Sequence, residues 1–465
     1  MRIGLVGPTG QQRSLPFNAE RTVNLLPIID QRGADTASLL GTPGLELFAT
    51  AGIGAIRGGL QTSDDRAFFV SGSVLYEIDS AGTATNRGTL NTSSGTVTMA
   101  DNGFQLGICD GAYVYILTYA TNVFAQVTDS DLPLAGAIDF VDGYFVINEV
   151  DTGKFYISGL YDGTAWDALD FASAESSPDK LTRAVNFVGQ LGLFGSDTLE
   201  IWRNTGDSVF PFSRISGSTP IGSKSPHTII SIDTSVYWVG HNSQGAGIVY
   251  KAQGFTPVRI STDAIEILLQ RETSPELLYS WTYQQEGHAF LVISGGSLET
   301  SLVYDLTTQL WHERAYLEED GTYSQHKGSC AIHVFNKVLV GDRENGNIYS
   351  LSLDVFSDNG DEIKRQRIYT HLIDELKDVR YSRLEIGVET GVGLQSGQGS
   401  DPQMSLRISR DGARTWSNSY SASIGASGQT NKTVAFRRLG IQSQCTFEIT
   451  MSVPVKWALT GSYLE

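Results

Sequence analysis

The groups from which this chain could build a metal or acid–base site are seven histidines, three cysteines and 51 acidic residues. The histidines (His227, His241, His288, His312, His326, His333 and His371) lack the short, regular spacing of zinc ligands. The tightest group is His326, Cys330 and His333, and a turn or strand surface is its plain reading. Cys109, Cys330 and Cys445 are widely separated with no CxxC pair, which fits buried or incidental thiols made in a reducing cytoplasm. Glu318-Glu319-Asp320 and Asp358-Asn359-Gly360-Asp361-Glu362 read as solvated loops; the second lacks the ligand alternation of a calcium loop. No G-x-S-x-G elbow, Walker loop, H-E-x-x-H or dinucleotide fingerprint occurs. No catalytic residue, cofactor site or metal site is therefore expected.

The sharpest local motif is Ser409-Arg410-Asp411-Gly412-Ala413-Arg414-Thr415-Trp416. It resembles the Asp box, S-x-D-x-G-x-T-W, a structural hairpin turn of sialidase propellers. In such a turn the Asp411 carboxylate accepts backbone N–H bonds while Trp416 packs behind the hairpin. Ser409, Asp411, Gly412 and Trp416 are thus expected to be structural, with Ala413 standing where the box has glycine. A single copy, with no arginine triad and no Tyr–Glu nucleophile pair, gives little support to glycan hydrolysis.

The elements that carry these residues form a repeat. Paired strands occur at Ala67–Val70 with Val74–Ile78, Gln105–Cys109 with Tyr113–Ile116, and Tyr144–Ile147 with Lys154–Ile157. They recur at Leu191–Phe194 with Leu199–Trp202, Ser235–Val239 with Ile248–Tyr250, Ala289–Ile293 with Ser301–Tyr304, and Lys337–Val340 with Asn347–Ser350. The step is about 38 to 54 residues, near the roughly 40–50 of propeller blades. Alternation such as Leu199/Ile201 and Leu302/Tyr304 reads as half-buried strand. Six blades are expected first and seven second, the count depending on whether terminal strands complete one copy. The one convincing helix is Thr262–Gln270, with Thr262 as N-cap.

Residues 1–50 read as an extended arm, with Pro16, Pro27 and a Gly41-Thr42-Pro43-Gly44 turn. The repeats fill 51–355. Residues 356–465 change character, with longer strands bearing basic residues and a Gly/Ser/Gln-rich loop from Gly391 to Ser400, and read as a β-sandwich-like domain. The whole is all-β, 40% hydrophobic and 18% charged, with 50 glycines. No stretch approaches the roughly 20 apolar residues of a membrane span, and no export signal is legible. The net charge of −18 should repel nucleic acid.

Two terminal blocks carry a family resemblance. Gln11 to Asn24 followed by Leu40-Gly41-Thr42-Pro43-Gly44-Leu45, and at the other end Ser409–Trp416, Phe436–Gly440 and Val453–Leu464, resemble the packaged-DNA stabilisation proteins of short-tailed bacteriophages. Met99–Gly103 and Val70–Ile78 also fit. The resemblance implies a tail accessory hub, or nozzle, in the virion tail: a propeller scaffold on a platform built from both terminal regions. It implies a hexameric ring below the portal and adaptor, a needle or plug at the distal end, tailspikes or fibres around it, and double-stranded DNA passing without specific binding. Six copies at −18 each would carry −108, and an acidic lumen would let DNA slide. Basic residues of the platform, Lys364, Arg365, Arg367, Arg380, Arg383, Arg437 and Arg438, are candidate contacts to an acidic adaptor, against ordinary intradomain ion pairing. The alternative from another class is a propeller-type tail glycosidase or glycan-binding protein, for which a carboxylate pair in the central pocket would speak. Trp202, Trp238 and Trp311, on blade strands, read as core.

Overall fold

The computed structural model describes residues 2–29, 37–174, 177–215, 217–373 and 377–465; residues 1 and 30–36 of the expected arm lie outside these. All seven hairpin copies form the second and third strands of four-stranded antiparallel units; five of these are separate sheets, and the sixth and seventh lie within an 11-stranded and a 6-stranded sheet. Several hairpins between first and second strands turn on two consecutive residues of positive φ, such as Asp142-Gly143, Val188-Gly189 and Glu286-Gly287. That geometry matches the twist of the flanking strands.

The seven units are blades of one ring. Blade one comprises Ile56–Gln61, Ala67–Ser71, Val74–Ile78 and Ala84–Thr89, and the rest follow in chain order. Seven separate apolar clusters each join two neighbouring blades, and the last joins blade seven to blade one through Ile332, Leu339, Ile348, Ile56 and Phe69. The blade count is therefore seven and not the six preferred from the sequence. The seventh blade takes its outer strand, Gly44–Thr50, from the N-terminal region, antiparallel to Asn347–Ser352. That segment of the expected arm is thus part of the propeller, and its pairing across the chain closes the ring.

Burial also differs from the alternating pattern. Ser301–Asp305 is buried at every position, as are Ala67–Ser71 and Gln105–Cys109. Inner blade strands have a neighbouring blade on each face, so both side-chain rows leave water. Trp238 and Trp311 are buried, and Trp202 is half-buried with its ring 5.3 Å from Phe155. The helix spans Asp263–Gln270 after an extended Thr262, whose hydroxyl makes no capping bond; its backbone carbonyl accepts from Glu266 N at 3.0 Å.

The C-terminal region forms a β-sandwich with the arm. One sheet runs Leu25–Ile29, Ala37–Gly41, Ala458–Leu464, Val379–Val388 and Val434–Gln442. The facing strands Arg365–Ile368, Gln444–Met451, Gln403–Ser409 and Tyr420–Ser423 belong to a longer sheet. Between the two lie Leu25, Leu39, Leu384, Leu406, Phe447, Ile449, Trp457 and Leu459. The longer sheet continues into the propeller: arm strand Arg21–Val23 pairs antiparallel with Arg365–Ile368 and parallel with Leu310–Leu317, the outer strand of blade six. Backbone hydrogen bonding thus crosses from propeller to sandwich.

Candidate assembly site

The arm holds the two bodies together with side chains as well as backbone. Glu313, buried on blade six, accepts from Arg21 Nη2 at 2.6 Å and Nε at 3.0 Å, from Thr300 Oγ1 at 2.7 Å and from Thr9 Oγ1 at 3.1 Å. Burial pulls the Arg21 guanidinium down, but the charge and hydrogen bonds of Glu313 together outweigh it and leave Arg21 raised. Directly after this strand Asn24 adopts φ +54°, and its amide mimics a strand partner: Nδ2 donates to Ala315 O at 2.8 Å while Oδ1 accepts from Ala315 N at 2.9 Å. None of these partners was singled out from the sequence as a site. The signal was present only as the polar run Glu20-Arg21-Thr22-Val23-Asn24.

Residues Ser409–Trp416 close as a tight turn around Asp411. Asp411 accepts from Thr415 Oγ1 at 2.6 Å, from Thr415 N at 2.9 Å, from Arg414 N at 3.1 Å and from Ser409 Oγ at 2.8 Å. The Thr415 hydroxyl, first among these, holds its carboxyl far below the usual range. Ala413 takes the glycine position at φ +63°, its N–H donating to Ser409 Oγ at 2.8 Å. Trp416 is half-buried, with the Arg407 guanidinium 5.6 Å from its ring centre. Gly412 is where the turn meets the arm: at φ +76°, a Cβ there would lie 2.6 Å from Pro16 Cγ. His371 adds a second tie, its Nε2 2.7 Å from Leu15 O.

The seven basic candidates divide into two groups. Arg365 and Arg367 are fully buried, so they do not face a partner. Arg367 donates to Leu5 O at 2.7 Å and Thr22 Oγ1 at 2.9 Å and pairs with Glu20, which fixes the arm to the sandwich. Lys364 is half-buried, its ammonium 5.1 Å from the Tyr323 ring centre. Arg380, Arg437 and Arg438 are exposed, and half-buried Arg383 lies directly opposite Arg437 in the register. Two like charges opposed across a ladder repel; here Arg383 is compensated by Glu385 and, at 3.9 Å, by Glu465. Val434–Gln442 is the edge of its sheet, so Arg437 and Arg438, with exposed Ile441, mark an open margin of the sandwich.

A central cavity of about 730 Å³ runs between the inner strands of the blades. Two carboxylates line it, on different blades. Asp139 accepts from Asn186 N at 2.8 Å and Phe140 N at 2.7 Å; Asp233 accepts from Gln284 Nε2 at 2.7 Å. Both are engaged in holding local backbone or a neighbouring strand. Arg183 donates to Pro226 O at 2.8 Å and Ile229 O at 3.0 Å, and burial with that nearby charge pushes His227 down to about 4. Of the histidine–cysteine group, His326 is buried against the Trp281 ring at 5.6 Å while His333 is exposed. Among the described residues, no three His, Cys, Asp or Glu side chains gather as a metal site. Asp358–Glu362 is a tight hairpin over Asn359 at φ +55° and Gly360 at φ +98°, its first carboxylate buried.

A closed seven-bladed propeller continuous through a shared sheet with a β-sandwich defines the class of protein by its fold. The family model for the bacteriophage P22 Gp10 β-propeller matches residues 1–356, and that for the Gp10 β-sandwich matches residues 365–465. The chain belongs to this family, the packaged-DNA stabilisation proteins of short-tailed phages, and is a phage structural protein and virion component. Comparison with curated proteins gives no match. Among solved structures, the chain is similar to the extracellular domain of the one-component system BT4673 from B. thetaiotaomicron, at 9% identity and TM-score 0.45, covering 72% of this chain and 46% of that one. It thus spans less than half of that structure. It is also similar to the Pan2 WD40 domain of Neurospora crassa (9% identity, TM-score 0.42, covering 64% and 89%) and to the Cps50 (Swd1) propeller of Myceliophteria thermophila (10%, 0.42, 66% and 99%).

Proposed function

We propose that this chain is the tail hub, or nozzle, subunit of a short-tailed phage. It assembles as a hexameric ring below the portal–adaptor complex, closes the tail after packaging, retains the DNA and guides its ejection. A needle or plug seals the distal end, and tailspikes or fibres attach around the ring. DNA passes without specific binding, helped by the −18 charge of each copy. The protein does no chemistry of its own in this role.

The observation that supports this reading best is the sheet running without a break from blade six through Arg21–Val23 into the sandwich. A subunit that bears DNA pressure needs its domains fixed in relation to one another, and a shared sheet does that. The exposed arginines at the sandwich margin, on an otherwise acidic chain, are suited to an acidic adaptor surface. Native mass spectrometry and electron microscopy of the protein, alone and mixed with adaptor, test the proposal. A hexamer whose adaptor docking is lost in Arg437→Glu/Arg438→Glu, with the fold retained, is the expected result. Docking that survives this double reversal refutes the adaptor contact, and a protein that stays monomeric with the adaptor present refutes the ring.

A further inference from the structure

Arg183 stands in the first strand of blade four, Leu181–Phe187, directly after a point where the register with Gln190–Gly195 slips by one residue. Such a bulge re-aims the side chains beside it. The residues in the same place after the bulges of blades one and seven, Gly58 and Cys330, line the central cavity, and so does Arg183. Its guanidinium is held through one nitrogen. Nη1 donates to Pro226 O at 2.8 Å and Ile229 O at 3.0 Å, which flank His227 in the chain. Among the described residues Nε and Nη2 meet no acceptor.

Blade one supplies a contrast. Arg57, at its bulge, also reaches the segment leading to the next blade, and there every donor is used. Nε donates to Gly95 O, Nη1 to Gly72 O and Thr92 O, and Nη2 to Thr92 Oγ1 and Ser94 O, at 2.6–2.9 Å. The segment after blade four leaves the Nε–Nη2 edge of Arg183 bare. That edge is the fork with which arginine takes a carboxylate in two parallel bonds.

The protein's own carboxylates do not fill the fork. Asp139, on blade three, is the one whose charge acts on Arg183, but its two oxygens accept from Asn186 N and Phe140 N. No ion pair joins it to Arg183 among the described residues, and burial favours its neutral form. Asp233, in an exposed corner turn at the rim of the cavity, is taken by Gln284. His227 stands beside the fork: both residues line the cavity, and the Arg183 charge is felt by its ring. Held neutral, it has one N–H to give, and its Nδ1 has no partner among the described residues. Val185, Ile229 and Val236 form an apolar wall on this side. The volume of about 730 Å³ lies within the range of small-ligand sites, about 300–1,000 Å³.

We propose that the central cavity binds a small organic carboxylate, with its two oxygens on the Nε–Nη2 edge of Arg183, His227 beside them, and its apolar body against Val185, Ile229 and Val236. The apolar wall favours an organic acid over inorganic phosphate, which keeps polar oxygens on every side. This is a binding site with no reaction attached to it. It stands whatever ring or tail the protein assembles into.

The probe is 4-bromobenzoate, compared with 4-bromobenzamide and with inorganic phosphate. Each is titrated calorimetrically into the full chain, and the acid is soaked into crystals for bromine anomalous diffraction. The expected results are one saturable site for the acid, with the amide and phosphate at least about tenfold weaker, and a bromine peak in the central cavity with the carboxylate on Arg183. Arg183→Lys keeps the charge but removes the fork, and should weaken the acid by at least about tenfold. Should that variant not fold, the wild-type series and the bromine position decide. Equal binding of acid and amide, phosphate bound as tightly as the acid, a carboxylate seated elsewhere, Asp139 found on the Arg183 fork, or binding at crystal concentration only overturns the proposal.

Discussion

Replacing Glu313 with Gln tests whether the arm clamp holds propeller and sandwich as one cooperative unit. The substitution keeps the shape but removes the charge that Arg21 faces, leaving that guanidinium with an amide in place of a carboxylate. Breaking a buried ion pair from one side costs about 3–5 kcal/mol. The Arg21 side chain keeps 19% of its exposure, so some of its charge is returned to solvent and the low end, about 3 kcal/mol, applies. Unfolding entropy of about 2.1 cal/mol/K per residue gives about 1 kcal/mol/K for 465 residues, so the melting temperature should fall by about 3 °C. Differential scanning calorimetry and urea unfolding read this directly, with Thr300→Ala as a milder control that keeps the ion pair and removes one hydrogen bond to the carboxylate, worth about 1.5 kcal/mol at the low end for a charged acceptor. A single transition shifted by the stated amount is expected. A change within about 0.5 kcal/mol of the parent, the range of an ordinary surface substitution, refutes the clamp. So does a melt in which the sandwich transition moves and the propeller transition does not.

Ala413→Gly should raise the urea midpoint by about 1 kcal/mol of stability, since an L-residue in the left-handed region costs roughly 1–2 kcal/mol and glycine does not; an unchanged or lower midpoint speaks against strain there. Gly412→Ala should displace Pro16 and open the arm, seen as faster proteolysis within residues 11–18 while the propeller stays protected; an unaltered digestion pattern counts against the contact. Asp411, whose folded carboxyl lies below its ordinary value of 3.8, contributes stability that is present above that value and is lost as pH falls through the folded one. Asp411→Asn should accordingly flatten the acid limb of the stability profile below about pH 4, the ordinary carboxylate range, and an unchanged acid limb refutes the assignment.

The repeat was legible because each blade hairpin is local: two strands and a turn within about 15 residues carry their own apolar ladder. The same holds for the Asp-box turn, whose bonds span four residues, and for the helix at Asp263–Gln270. Even so, the alternation at Leu302 and Tyr304 suggested one wet face where the structure has none. Periodicity within a strand reports nothing about what packs on its second side.

What only the tertiary structure decided lies in contacts of long sequence separation. Gly44–Thr50 looks like the end of an arm until it pairs with Asn347–Ser352 and makes the seventh blade. Arg21 and Glu313 stand 292 residues apart. Arg365 and Arg367 have the composition of a surface patch, and they are buried because the arm folds over them, whereas Arg437 and Arg438 stay exposed because no strand follows theirs in the sheet. The sequence by itself determined the blade hairpins, the propeller-plus-sandwich class and the family, since those depend on residues close together in the chain. The tertiary structure decided how the ring closes, how the sandwich is joined to it, and which charges remain for a partner, because a charge is accessible or buried only in relation to segments that the chain brings from far away.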